Sequence, residues 1–128
     1  MSELPELRAL VVEADPGLRE IFETLLEGCS VRFVWDPWAM PGPVPTDVDL
    51  LVIDEDYPGG SDGRSPEWLK SLSERLPTIV LRTPVASFRT NPSTLILPKP
   101  FPVAFFLAFA ALVRQAKADA ARSAEEGT

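Results

Sequence analysis

Three carboxylates in the sequence stand where they could act together: Glu13, Asp54 and Asp56. Glu13 and Asp54 each end a short aliphatic run, and Asp56 follows Asp54 closely. Like charges that meet at one edge of a protein are costly unless a cation balances them. Mg²⁺ takes oxygen ligands from a few carboxylates and a phosphate, so the three acids predict a magnesium site.

Lys99 adds a positive charge near the same predicted site. It lies in the segment LPKPF, directly after another apolar run, and a lysine ammonium is a mobile point charge suited to a phosphoryl oxygen. A carboxylate nucleophile, a metal ion and a lysine together suit the transfer of a phosphoryl group onto Asp54. The sequence therefore predicts phosphoryl chemistry centred on Asp54.

Five short aliphatic segments are the strands that would position these residues. They cover residues 8–13, 31–35, 49–54, 78–82 and 94–97, and continuous apolar runs of this length are typical of strands buried on both faces. Three helices are predicted between or after them: one capped by Asp15 and stopped at Gly28, one over residues 65–76, and a last one from about Pro102 to Lys117.

Proline is unusually frequent, at 14 of 128 residues, and it shortens two of the connections. The segment PWAMPGPVPTDV precedes the third strand and PVASFRTNPS precedes the fifth, and neither can hold a full helix. Strands that alternate with helices and near-helices form a parallel sheet with right-handed crossovers. We therefore predict the α/β class, as a five-stranded, doubly wound parallel sheet with shortened second and fourth helices. In sheets of this kind, ligands bind at the carboxyl ends of the strands.

Composition excludes several classes of function. The chain has no histidine and one cysteine, Cys29, which rules out imidazole-based catalysis, an internal disulfide and a CxxC motif. The net charge of −7 disfavours a nucleic acid or an anionic membrane as partner. Residues 1–7 show no basic apolar leader, so we expect a cytoplasmic protein.

The motifs together resemble the receiver domains of bacterial two-component response regulators. The resemblance rests on VVEADPGLREIFETLLEG, on LLVIDEDYPGGSDG and on LPKPF, and it covers about residues 7–114. It implies the strand order 2-1-3-4-5 and a sensor histidine kinase as a partner. It also implies that Asp54 is the phosphoacceptor, that Glu13 helps to organise Mg²⁺, that Asp56 lends a backbone carbonyl to the metal, and that Lys99 is the family's invariant lysine.

The sequence departs from the family pattern at several of its working positions. Ala14 stands where the family has a direct metal ligand, so a Mg²⁺ site of Glu13, Asp54 and Asp56 would be weak. Arg82 replaces the phosphoryl-binding hydroxyl residue, with Thr83 one step later, and Ile96 replaces the aromatic switch residue. We expect Arg82 to pair with Asp54 or Asp56 and to replace much of the missing ion.

The last predicted helix is apolar on more than one side. Val103, Phe106, Leu107 and Ala110 form a stripe that should cover the sheet, while Phe105, Phe109 and Leu112 form a second stripe. Two interpretations stay open for the second stripe. It is either a homodimer or protein-partner interface, or it is buried internally by Phe88 and Val85.

These observations favour an atypical, receiver-like signalling domain over residues 1–118, with a polar tail over residues 119–128. We expect it to act through protein contacts, without enzymatic activity and independently of phosphorylation, with Lys99, Arg82 and Thr83 at the phosphoryl position. One alternative is a working response regulator that is phosphorylated on Asp54. A remote alternative, from the Asp54-Glu55-Asp56 run, is a phosphatase of the haloacid dehalogenase type.

Overall fold

The computed structural model describes residues 6–40, 42–60, 64–82, 94–98 and 101–126. In this part of the chain the strands are β1 (Arg8–Val12), β2 (Ser30–Val34), β3 (Leu50–Asp54), β4 (Thr78–Arg82) and β5 (Thr94–Pro98). The helices are α1 (Pro16–Leu25), α2 (Glu67–Arg75) and α3 (Val103–Glu126), and a single 3₁₀ turn covers Pro37–Ala39.

The five strands form one parallel sheet in the order β2-β1-β3-β4-β5. This confirms the predicted fold class and strand order. The register sets Val12 beside Ile53 and Asp54 beside Leu81. The carboxyl ends of β1, β3 and β4 therefore lie side by side, as the predicted site requires.

Helices cover both faces of the sheet, which confirms the doubly wound arrangement. On one face α1 and α3 pack through Phe22 and Phe106, which meet Phe101 in a cluster with ring centroids 5.6–5.9 Å apart. On the other face α2 packs through Leu69 and Leu72. Side chains of a strand alternate between faces, so β1 and β3 contribute to both cores. The core under α1 and α3 contains Ala9, Val11, Leu50 and Val52. The core under α2 contains Leu10, Val12, Leu51 and Ile53.

Local sequence signals explain where α1 begins and ends. The Asp15 carboxylate accepts a hydrogen bond from the Gly17 amide at 2.8 Å, as an N-cap should. Pro16 occupies the first helical position, where its missing N–H costs nothing. Gly28 takes a φ of 85°, a conformation that side chains disfavour, and thereby turns the chain toward β2.

The connection from β2 to β3 confirms the first of the two shortened helices. Its described residues, 35–40 and 42–49, contain a single 3₁₀ turn and no longer helix. Two indole N–H groups bind that turn to the rest of the protein. Trp38 Nε1 donates to the Pro58 carbonyl at 2.6 Å, and Trp68 Nε1 donates to the Pro37 carbonyl at 2.8 Å. The second shortened connection, before β5, lies outside the described residues.

The last helix is longer than predicted and covers less of the sheet than predicted. It was expected to end near Lys117, but α3 continues to Glu126 because the alanine-rich segment after Lys117 favours helix. An Asp119–Arg122 ion pair supports the added turns. Phe106 is buried as expected, whereas Val103 and Leu107 are 44% and 43% exposed.

In the described part of the chain, no helix is both long enough and apolar enough to cross a membrane.

Asp49 joins three elements at the amino edge of the sheet. Its carboxylate accepts hydrogen bonds from the Arg8 amide at 2.9 Å, from the Arg8 guanidinium at 3.2 Å and from Lys117 Nζ at 2.7 Å. Lys117 also donates to the Glu6 carbonyl. Partial burial alone would raise the pKa of Asp49, but the bonds from Arg8 and Lys117 outweigh it and lower that pKa.

We predict that Asp49→Asn lowers the free energy of unfolding near neutral pH by about 1 kcal/mol, allowing for solvent screening. A carboxyl whose folded pKa lies below its unfolded value, about 4, stabilises the protein above that pH, and this contribution is lost as pH falls through the folded pKa. Urea unfolding at several pH values checks this. A difference between wild type and Asp49→Asn that stays constant from neutral to strongly acid pH would contradict it.

Candidate functional site

The core of the candidate site is a pair of neighbouring buried carboxylates. Glu13 directly follows β1 and Asp54 ends β3, and continuing the β1–β3 register sets them level with each other. Alternation places both on the sheet face covered by α1 and α3, since Val11 and Val52 belong to that core. Glu13 is 3% exposed and Asp54 is 2% exposed. The structure thus brings together two of the three predicted acids.

Short local turns hold both carboxylates in place. Glu13 Oε1 accepts a hydrogen bond from the Asp15 amide at 2.9 Å, and Asp54 Oδ1 accepts one from the Asp56 amide at 3.0 Å. In each case the acceptor lies two residues before the donor, a geometry common at the start of a loop. One oxygen of each carboxylate is therefore committed to the backbone. The third predicted acid, Asp56, has an exposed side chain.

Arg82 forms a buried ion pair, but with a different acid from the one predicted. Its Nε atom lies 2.7 Å from Glu55 Oε1, and the two side chains are only 9% and 8% exposed. We expected Asp54 or Asp56 as the partner. The β3–β4 register explains the difference: Asp54 is level with Leu81, so Arg82 is level with Glu55 and on the opposite sheet face from Asp54.

The loop after β3 fixes the position of Glu55. Its amide donates to the Leu81 carbonyl at 3.1 Å, which extends the ladder beyond the strand. The backbone of Gly60 packs against the Glu55 carbonyl group at the end of the loop. Only glycine fits there, because a Cβ atom would lie 2.2 Å from the Glu55 carbonyl oxygen. The Tyr57 hydroxyl shares a hydrogen bond with Ser65, and burial raises the pKa of Tyr57.

The described residues do not fit a three-carboxylate Mg²⁺ site. Ala14 offers no oxygen ligand from its side chain, and Glu13 Oε1 is engaged by a backbone amide. Within residues 6–40, 42–60, 64–82, 94–98 and 101–126, no group of three or more potential ligands is arranged to hold a metal ion.

Two residues predicted to contact a phosphoryl group, Lys99 and Thr83, lie outside the described part of the chain. Ile96, at the expected aromatic position, is a half-buried residue of β5. In the second stripe of α3, Phe105 is 63% and Leu112 is 69% exposed, while Phe109 packs partly against the core. Phe88 and Val85, which the alternative interpretation expected to bury this stripe, lie outside the described residues.

Comparison with known proteins gives a consistent result at the level of structure. No family model and no curated protein matches the sequence. Among solved structures, the receiver domain of HemR from Leptospira biflexa is 25% identical, with a TM-score of 0.64 over 85% of this chain and 94% of that one. A response regulator receiver domain protein from Bacillus halodurans is 17% identical, with a TM-score of 0.64 over 85% and 97%.

A response regulator receiver protein from Pseudoalteromonas atlantica is 18% identical, with a TM-score of 0.62 over 86% of this chain and 98% of that one. These likenesses span most of the chain and agree with the observed strand order. The chain has the receiver fold.

Sequence reasoning missed the role of Glu55 in this receiver fold. The missed signal was the two-residue period of a strand, because Glu55 follows Asp54 and must point to the other face. Sequence reasoning also missed the two indole hydrogen bonds of Trp38 and Trp68, for which no local pattern exists.

We predict that Arg82→Met lowers the free energy of unfolding by about 3 kcal/mol, because it leaves the Glu55 carboxylate buried without this guanidinium. The double variant Arg82→Met/Glu55→Leu should regain most of this loss, since an apolar pair carries no desolvation penalty. Urea unfolding followed by circular dichroism measures both.

Arg75→Met, at an exposed arginine of α2, is the matched control and should change stability little. A double variant that is no more stable than Arg82→Met would contradict the importance of the Arg82–Glu55 pair.

Proposed function

We propose that this chain is an atypical receiver that signals through protein contacts without phosphorylation. The observation that carries the proposal is the buried Arg82–Glu55 ion pair. The family that the sequence resembles uses a small hydroxyl residue at the position of Arg82. Here that position holds a bulky cation that is already paired within the protein.

The energetics of this pair favour a single conformation. Separating the two charges would leave a guanidinium or a carboxylate buried without its partner, at a cost of about 3–5 kcal/mol. A conformational switch needs two states that differ by only a few kcal/mol, so that a modification can change their populations. The Arg82–Glu55 pair links the carboxyl ends of β3 and β4. It therefore opposes a conformational change at the edge of the sheet where phosphorylation of Asp54 would act.

Two further departures point the same way. Ala14 removes a side-chain oxygen beside Glu13, and the described residues hold no group of three acidic or other metal-binding side chains. Ile96 supplies no aromatic ring on β5. The chief alternative is phosphorylation of Asp54, favoured by the position of Asp54 beside Glu13 at the carboxyl edge of the sheet.

The exposed apolar side of α3 is the surface that we propose for a homodimer. Phe105, Phe109 and Leu112 recur at helical spacing on one side of α3. A shallow groove of about 470 Å³ continues this side to the amino edge of the sheet, with apolar walls that include Leu76 and Val48. Large exposed apolar surfaces of this kind mark interaction sites.

We predict that the wild-type protein gains no phosphoryl mass when it is incubated with Mg²⁺ and acetyl phosphate. Intact-mass spectrometry measures this, with Asp54→Ala as the control for modification elsewhere. The variant Ala14→Asp/Arg82→Thr restores the two residue types of the family, and we expect it to gain a phosphoryl group that Asp54→Ala removes.

A phosphoryl-sized gain in the wild type that Asp54→Ala abolishes would contradict phosphate independence and favour a working response regulator. Sustained hydrolysis of p-nitrophenyl phosphate that depends on Asp54 would instead indicate a phosphatase.

We predict that the protein is dimeric at high micromolar concentration and that Phe105→Asp and Leu112→Asp each shift it toward the monomer, because a carboxylate would be buried in the contact. Light scattering coupled to gel filtration measures this. Ala111→Glu, at an exposed position on another side of α3, adds a charge without touching the stripe and should leave the dimer intact. A strict monomer for the wild type would rule out this interface.

A further inference from the structure

The outer edge of β2 carries free backbone hydrogen-bonding groups. β2 is the first strand in the sheet order and pairs only with β1 among the described strands. The Ser30 amide donates to the Leu7 carbonyl, and the Val34 carbonyl accepts from the Glu13 amide. Backbone groups of a strand alternate in direction, so Val31 and Phe33 direct their N–H and C=O groups away from β1.

A groove runs beside this free edge. It has a volume of about 550 Å³ and is lined by residues 32–36 together with Ala39, Met40 and Pro43. The connection to β3, which contributes Ala39 to the lining, is a 3₁₀ turn rather than a helix. The indole bonds of Trp38 and Trp68 hold that turn against the neighbouring loop and α2, so Ala39 at the end of the turn has an anchored position in the groove lining.

Two arginines lie beside the edge, although the whole chain has a net charge of −7. Asp47 lines a small neighbouring cavity together with Arg32. Arg32 is exposed and lines the groove. The Arg19 guanidinium carbon lies 4.4 Å from the Phe33 ring centroid and 3.8 Å from the Trp35 ring centroid, directly beside the edge. The acid that lines the groove is Asp36, and its Oδ1 atom accepts a hydrogen bond from the Trp38 amide.

We propose that the β2 edge binds an extended acidic segment of a partner protein by strand addition. The segment would exchange backbone hydrogen bonds with Val31 and Phe33, set alternate apolar side chains into the groove, and place a carboxylate near Arg32. The strand itself contains no proline and no bulge that would block such pairing. This surface is separate from Asp54 and from α3, and its use does not depend on the proposed function.

The test uses a capped octapeptide of alternating valine and glutamate, added to uniformly ¹⁵N-labelled full-length protein. We expect the amide signals of Val31 and Phe33 to shift and their hydrogen exchange to slow, while the amide of Ile79 in the sheet interior stays unchanged. A matched valine–lysine octapeptide should bind at least about tenfold more weakly, because its charges face Arg32 and Arg19.

Three variants sharpen the experiment. Arg32→Glu should weaken binding of the valine–glutamate peptide at least about tenfold, whereas the same charge change at the exposed Arg75 should not. Val31→Pro removes one outward N–H while the inward ladder to β1 is retained, so it should abolish binding. Circular dichroism checks that each variant is folded. If Val31→Pro does not fold, Arg32→Glu still tests the proposal.

The absence of shifts at Val31 and Phe33 at millimolar peptide would overturn the proposal. Equal binding of the two peptides would overturn the acidic assignment. A wild-type dimer that Val31→Pro or Arg32→Glu converts to a monomer would show that a second copy of the chain, rather than an acidic partner, occupies the edge.

Discussion

The alternation of side chains along a parallel strand is the constraint on which the site depends. At the end of β3, Asp54 points to the face of α1 and α3 and meets Glu13 there, while Glu55 points to the face of α2 and meets Arg82. Two adjacent acids thus serve separate purposes on opposite sides of one sheet. The Arg82 guanidinium balances the charge of Glu55, the residue next to the candidate phosphoacceptor Asp54. It does so on the opposite face of the sheet from Asp54.

Much of the fold followed from the sequence because the signals were local. Aliphatic runs gave the strands, and prolines correctly predicted that no full helix joins β2 to β3. The length of α3 was missed because the polar, alanine-rich segment after Lys117 was interpreted as a tail although alanine favours helix. The partner of Arg82 was missed for another reason. The two-residue period of a strand separates Glu55 from Asp54, but the register between β3 and β4, which sets Arg82 level with Glu55, is not recorded in the local sequence.

The short connection before β3 affects two surfaces at once. Proline prevents a helix there and leaves a 3₁₀ turn. The indole group of Trp38 binds this turn to the loop after β3, and the indole group of Trp68 binds it to α2. The same turn also borders the groove beside β2. One connection therefore contacts both the loop that follows Asp54 and the surface beside the β2 edge.

The length of α3 has a structural consequence. The helix has 24 residues and is about 36 Å long at 1.5 Å per residue, about twice the length of a five-residue strand. Lys117 and the buried Ala118 hold it to the amino edge of the sheet, and beyond them residues 119–124 are exposed. The turns after Ala118 therefore extend past the point where Lys117 is bound to Asp49, and they present side chains on every side of the helix to solvent.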